Sequence, residues 1–124
     1  MGLLHRLSAH LRDASHRITR PAAVNEAQRA HVKANPTCAS CGSTTHCQGH
    51  HIAPYHAFPE LAASPENFIT LCMSENECHI RIGHGDLFRT YNPNVVKDAA
   101  DALGGIPRGL VETRARLARQ PDEP

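Results

Sequence analysis

The chain has 124 residues with 13 Lys and Arg against 12 Asp and Glu, ten His, five Cys, nine Pro and eight Gly, but only three Phe, two Tyr and no Trp. That length suits one small domain, and so few large apolar residues exclude an extensive core, which makes a metal staple the expected compensation. No window approaches ~18 apolar residues and no secretory h-region is present, so neither a membrane span nor secretion is expected. An odd number of cysteines with a Cys-x-x-Cys pair suits a reducing, cytoplasmic compartment better than a disulfide framework.

Residues 1–35 hold Arg6, Arg12, Arg17, Arg20, Arg29 and Lys33 against Asp13 and Glu26, so the basic excess is N-terminal. Leu3, Leu4, Leu7, Leu11, Ala14 and Ile18 recur at helical steps, which predicts an amphipathic helix over 2–18. That stripe serves either packing and homodimerisation or a phosphate-contacting arm. Mitochondrial presequences share its Arg-rich, acid-poor character, so that reading stays open. Arg20-Pro21 breaks the pattern, and a second helix is expected from about Asn25, as N-cap, to Ala34, before Asn35-Pro36.

A Cys/Gly/Ser/Thr-rich knuckle at 36–49 leads into a strand at 46–53, and Pro59, Ser64 and Pro65 mark 54–65 as a loop. "NFITLC", Asn67–Cys72, reads as the partner strand. "SENE", Ser74–Glu77, reads as a capping box, with a helix from about Cys78 to Gly83. Further helices are expected at Asn94–Leu103 and about 109–119, with "QPDEP" frayed. The chain therefore divides into basic helices at 1–35, a central unit at 36–92 and a helical extension at 93–124, within one α+β domain.

Cys38-x-x-Cys41-Gly42 supplies half of a tetrahedral zinc site, because a tight turn brings both thiolates to one ion. Cys72 at the strand end and Cys78 at the helix start supply the other half, with a spacing wider than usual. One pair could instead be buried apolar cysteines, and Cys47 reads as core. His50 and His51 serve opposite faces of an extended strand, so one can hold a metal while the other moves a proton. The Asn67 carboxamide can reach one imidazole across the hairpin, while His79 and His84 bracket the next helix. A divalent ion beside a neutral imidazole is what phosphodiester hydrolysis needs. The remaining possibility is that His50 and His51 belong to the structural zinc. His46 and His56 read as surface residues.

The order "CASCG … HHIAP … SPENFITLC … CHIRIGH", over about Asn35 to Pro93, resembles the HNH endonucleases, the ββα-metal (His-Me finger) nucleases. The resemblance implies an α+β fold with a zinc-stapled ββα-metal core and flanking helices. It implies that His51 is the general base, that Asn67 orients it, and that His50, His79 and His84 hold the catalytic metal. Colicin-type members place the last two histidines four apart, whereas His79 and His84 are five apart; a turn at Gly83 would return His84, with Asp86 or water as substitute ligands.

The implied activity is metal-dependent nicking of double-stranded DNA with low sequence preference, using Mg²⁺ or Mn²⁺, with Ni²⁺ or Zn²⁺ also accepted. Backbone contacts are expected from Arg20, Arg29 and Lys33, and Arg81 reads either as a phosphate clamp or as a solvated helix charge. The alternative reading is a non-catalytic, zinc-stapled nucleic-acid-binding module of the same fold.

Overall fold

Two short antiparallel strands carry His50, His51 and Cys72 among the residues singled out above. In the computed structural model, which describes residues 20–122, β1 (Cys47–His51) pairs with β2 (Phe68–Cys72) so that Cys47 faces Cys72, His50 faces Ile69 and His51 faces Phe68. β2 starts one residue later than "NFITLC" suggests, because Asn67 closes a 3₁₀ turn that begins at Pro65. The buried Asn67 side chain accepts from the Ala53 N–H and donates to the Ala53 and Leu61 carbonyls, at 2.8, 2.9 and 3.1 Å. It thereby pins the 52–67 connection, whose backbone groups have no sheet to pair with.

Helix α1 (Ala22–Ala34) crosses the hairpin. It begins after Pro21, ahead of the expected cap, because Pro21 starts the helix and its carbonyl accepts from Val24 N. Asn25 therefore lies inside α1 and caps nothing. The Gln28 side chain donates to the Gly49 carbonyl at 2.6 Å. A Cβ on Gly49 would stand 3.0 Å from Gln28 Cγ, so glycine permits this close approach of helix to strand.

Downstream of β2 the expected capping box does not form. Ser74 Oγ bonds the Thr45 carbonyl, and Glu75 and Glu77 take positive φ, so the segment is a bulging loop rather than a helix start. The chain then makes a wide π-helical turn, His79–Gly83, whose defining bond runs from His84 N to His79 O at 3.0 Å. Strand β3 (Thr90–Tyr91), helix α2 (Val95–Leu103) and helix α3 (Arg108–Ala118) follow, the helices close to their expected limits. The tail is not frayed where it is described: β4 (Gln120–Pro121) pairs with β3, and Asp122 N bonds Arg89 O.

The architecture is α+β, with two two-stranded sheets among the described residues. The predicted helix over 2–18, and any dimerisation through it, lies outside them. Among the described residues no helix is long and apolar enough to cross a membrane. The core consists of Leu71, Ile82, Val95, Ala99 and Val111 together with Cys38, Cys72 and Cys78.

One polar network closes it. Fully buried Asn92 donates to the Ile82 carbonyl at 3.1 Å and to Asp98 at 2.8 Å, and Arg114 grips Asp98 at 2.7 Å. The network fixes α2 and α3 to the π turn. Asn92→Ala should lower unfolding stability by about 2 kcal/mol, since it orphans a buried carbonyl and a carboxylate oxygen. Urea unfolding of metal-loaded protein measures this, and a loss below ~0.5 kcal/mol would contradict the role.

Candidate metal centres and the histidine cleft

The four expected cysteines converge. One ligand atom from each of Cys38, Cys41, Cys72 and Cys78 lies within 4.8 Å of every other, and Cys41 Sγ is 3.7 Å from Cys72 Sγ. The knuckle is a tight turn: Gly42 N bonds Cys38 O while Gly42 itself takes φ 79°, a conformation that favours glycine. Ala39 N bonds Thr70 O and holds the knuckle against β2. The wide gap between Cys72 and Cys78 is absorbed by the left-handed residues Glu75 and Glu77.

A hydrogen bond from Cys78 brings the Cys38 thiol down to about 4 and drives Cys78 up, while burial raises Cys72. Among clustered thiols, the first thiolate resists formation of the next. Arg108 adds compensation, donating to Cys78 Sγ at 3.3 Å and to the Asn76 carbonyl. Such a set suits a borderline-soft tetrahedral ion. Cys47 stays outside it and bonds the Ser43 carbonyl at 3.3 Å.

The second convergence is His50, His79 and His84, again within 4.8 Å. His79 Nδ1 meets Met73 Sδ at 3.0 Å, and His84 Nδ1 meets the Thr90 carbonyl at 2.6 Å. Both partners can only accept, so each Nδ1 carries the proton and each Nε2 carries a lone pair. Yet those two Nε2 atoms are 3.2 Å apart. Two lone pairs so close share no proton. The separation is instead that of two ligands on one ion, ~3 to 3.4 Å for bonds of ~2.1 Å. His50 completes the case: its Nε2 is buried without a hydrogen-bond partner among the described residues. The residues therefore fit a metal.

The five-residue spacing of His79 and His84 is met by the π turn. In an α-helix, residues five apart point about 140° from each other, whereas the wider turn returns His84 over His79. The reversal of the chain falls at Gly85 and Asp86, with φ 63° and 78°, and not at Gly83. Gly83 serves proximity: a Cβ there would come within 3.2 Å of His50 Nδ1 and 3.0 Å of Leu71 Cδ1. Asp86 does not join the histidines; it pairs with Arg116 at 3.1 Å.

His51 stays outside the metal set. Its Nε2 donates to the Ala62 carbonyl at 2.9 Å, and its ring rests on Phe68. The neutral ring must therefore present Nδ1 as its basic nitrogen. Burial lowers its pKa, and the Ala62 bond partly offsets this. The expectation that Asn67 holds His51 is corrected: the bonds of Asn67 go to Ala53 and Leu61, and a backbone carbonyl orients the histidine.

A cleft of about 260 Å³ is lined by His50, His51, His79 and His84, with Arg20, Tyr55, His56, Tyr91 and Asp122 also on its walls. His56 is exposed, as expected, and also borders the site. A groove of about 630 Å³, lined by Arg29 and Lys33, continues from Arg20, Gln28 and Gly49. Arg81 is not on either wall. It is half-exposed, pairs with Glu77 at 3.1 Å and lies 3.9 Å from Glu112. Sequence reasoning missed Asp122 and the Ala62 carbonyl; the first lies in a tail with no motif, and the second is backbone.

Comparison with protein-family models, with curated proteins and with solved structures gave no match to this chain.

Burial holds His79 down at about 3 and drives His50 well below its ordinary value, so both rings stay neutral and ready to ligate at neutral pH. The unfolded chain protonates them near ~6.5, so they cost the fold stability as pH falls below that value. Their NMR imidazole shifts, in protein with metal only at the cysteines, should keep neutral values from pH 7 to pH 5; midpoints near 6.5 would refute the burial argument. Cys38→Ser should lose the tightly held ion and the folded signal together, while His79→Ala keeps both. Metal analysis alongside circular dichroism distinguishes the centres, and a folded, zinc-free Cys38→Ser protein would remove the staple.

Proposed function

We propose that the chain is a metal-dependent endonuclease of the HNH type that hydrolyses phosphodiester bonds in DNA, with zinc stapling the four cysteines. The observation that carries this reading is three converging, neutral imidazoles beside a fourth in the same cleft, His51, fixed in one tautomer and left out of the metal set. The hairpin followed by a short helical turn also agrees with the ββα-metal order implied by "HHIAP … NFITLC … CHIRIGH".

A divalent ion held by His50, His79 and His84 would neutralise phosphate charge and stabilise the departing oxygen. His51 Nδ1 takes the proton of the attacking water. The Ala62 carbonyl supports the imidazolium as it forms, since its bond favours the protonated ring. Arg20 offers a cation within the cleft, and Arg29 and Lys33 extend positive charge along the groove beside α1. A polyanionic backbone laid there would bind in a salt-dependent way.

The test is incubation with supercoiled plasmid and Mg²⁺, Mn²⁺ or Ni²⁺. The protein should nick it, and His51→Ala should slow nicking at least ~100-fold with DNA binding and metal content unchanged. DNA binding without nicking under any ion would instead establish the non-catalytic module.

A further inference from the structure

Asp122 is the only carboxylate on the walls of the histidine cleft among the described residues. Its Oδ1 is shut off from solvent and has no hydrogen-bond partner among them. It is held there by construction. β3 orients His84 on one side, through the Thr90 carbonyl and through Thr90 Oγ1, which donates to His84 O at 2.6 Å. On its other side the same two residues pair with Gln120 and Pro121. Asp122 N then bonds Arg89 O at 2.8 Å, and Arg119 donates to Gly85 O at 2.9 Å. The tail is thus laced at three points to the segment that carries the last histidine.

Three neutral imidazoles bring a cation no negative charge. Nitrogen donors alone favour Zn²⁺, Ni²⁺ and Cu²⁺, whereas carboxylate and water favour Mg²⁺ and Mn²⁺. Asp122 is not among the ligand atoms that lie within 4.8 Å of one another, so any reach to an ion in their midst runs through water. The charge of Asp122 also raises the proton affinity of His51 and His84, as expected of a carboxylate facing both.

We infer that Asp122 is a positioning residue of the histidine site. It receives hydrogen bonds from water on the bound cation and supplies the negative charge that lets three histidines retain a hard ion such as Mn²⁺ or Mg²⁺. This rests on the metal-site part of the proposed function and adds a residue and an ion preference to it.

The experiment uses the full chain with zinc at the cysteines and titrates Mn²⁺ and Ni²⁺ by calorimetry into wild type, Asp122→Asn and Asp122→Glu. Asp122→Asn keeps size and shape, and its cysteine-bound zinc should be unchanged. It should weaken Mn²⁺ binding about tenfold, the usual scale for an outer partner of a metal site, and weaken Ni²⁺ binding much less. Asp122→Glu should recover part of the Mn²⁺ affinity. Equal Mn²⁺ affinity in wild type and Asp122→Asn, an equal loss for both ions, or no Mn²⁺ binding by wild type would overturn the inference. Plasmid nicking by the same wild-type sample is read separately. A Mn²⁺-specific loss without any nicking would uphold Asp122 and reject the nuclease.

Discussion

The four sulfur atoms of Cys38, Cys41, Cys72 and Cys78 sit in and against a cluster whose other buried members among the described residues are Leu71, Ile82, Val95, Ala99 and Val111. No aromatic side chain belongs to that set, so the transfer energy available from hydrocarbon alone is small. The sulfurs come from a knuckle, a strand end and the start of a helical turn. Holding all four on one ion closes a 38–78 loop and fixes three elements at once. A metal bound only by the folded chain adds its binding energy to the fold. α3 reaches the same place through Arg108, which donates to Cys78 Sγ and is steadied by Glu112 of the same helix at 2.9 Å. The cysteine centre is thus the point on which the core, the hairpin and the C-terminal helices all depend.

The same centre sets the geometry of the second one. Cys78 and His79 are neighbours in sequence, and Cys72 ends the strand whose Ile69 faces His50. Fixing the sulfurs therefore fixes where the π turn begins and how it faces β1. From that start the turn has to return His84 over His79 in five residues, which regular α-helical geometry does not allow. The wide turn does so at the expense of regular hydrogen bonding, and Asn92 repairs part of this by donating to the Ile82 carbonyl. Wide turns of this kind recur at functional sites for such reasons.

How legible this was in the sequence varies with the kind of signal. The β runs, the two C-terminal helices and the convergence of the four cysteines followed from residue type and spacing, since each leaves side-chain marks, whereas the grouping of His50, His79 and His84 came from the resemblance to the HNH motif. The start of α1 was misplaced because Pro21 looked like a break and works as a start. The SENE segment matched a capping box in letters, but Glu75 and Glu77 take left-handed backbone to let Cys72 and Cys78 meet, so a tertiary demand overrode the local rule. Asn67 was given the wrong partner: a carboxamide flanked by the carbonyls of Ala53 and Leu61 saturates itself locally. The partner of His51 is a backbone carbonyl, and no side-chain pattern marks a carbonyl. The tail could not be read at all, because a two-residue pairing has no period.

The proposed function has one strand divide labour between adjacent histidines without a second element. His50 is 3 % exposed and has its ring against His79 and His84, with centroids 4.9 and 4.7 Å away. His51 turns the other way onto Phe68, and it keeps enough contact with solvent and the cleft to exchange a proton. The two sit side by side, so each must be prevented from doing the other's task. Strand alternation does this for position. Hydrogen bonding does it for chemistry: His50 has an orphaned nitrogen that a cation can satisfy, whereas the Nε2 of His51 is already committed to Ala62, leaving Nδ1 for a proton. A strand slipped by one residue would turn each ring to the opposite face of the hairpin and separate His51 from the Ala62 carbonyl. Under the proposed function, the register between His51 and Phe68 is a functional constraint as much as a structural one. It is enforced from both ends, by the cysteines at one and by the Asn67 anchor at the other.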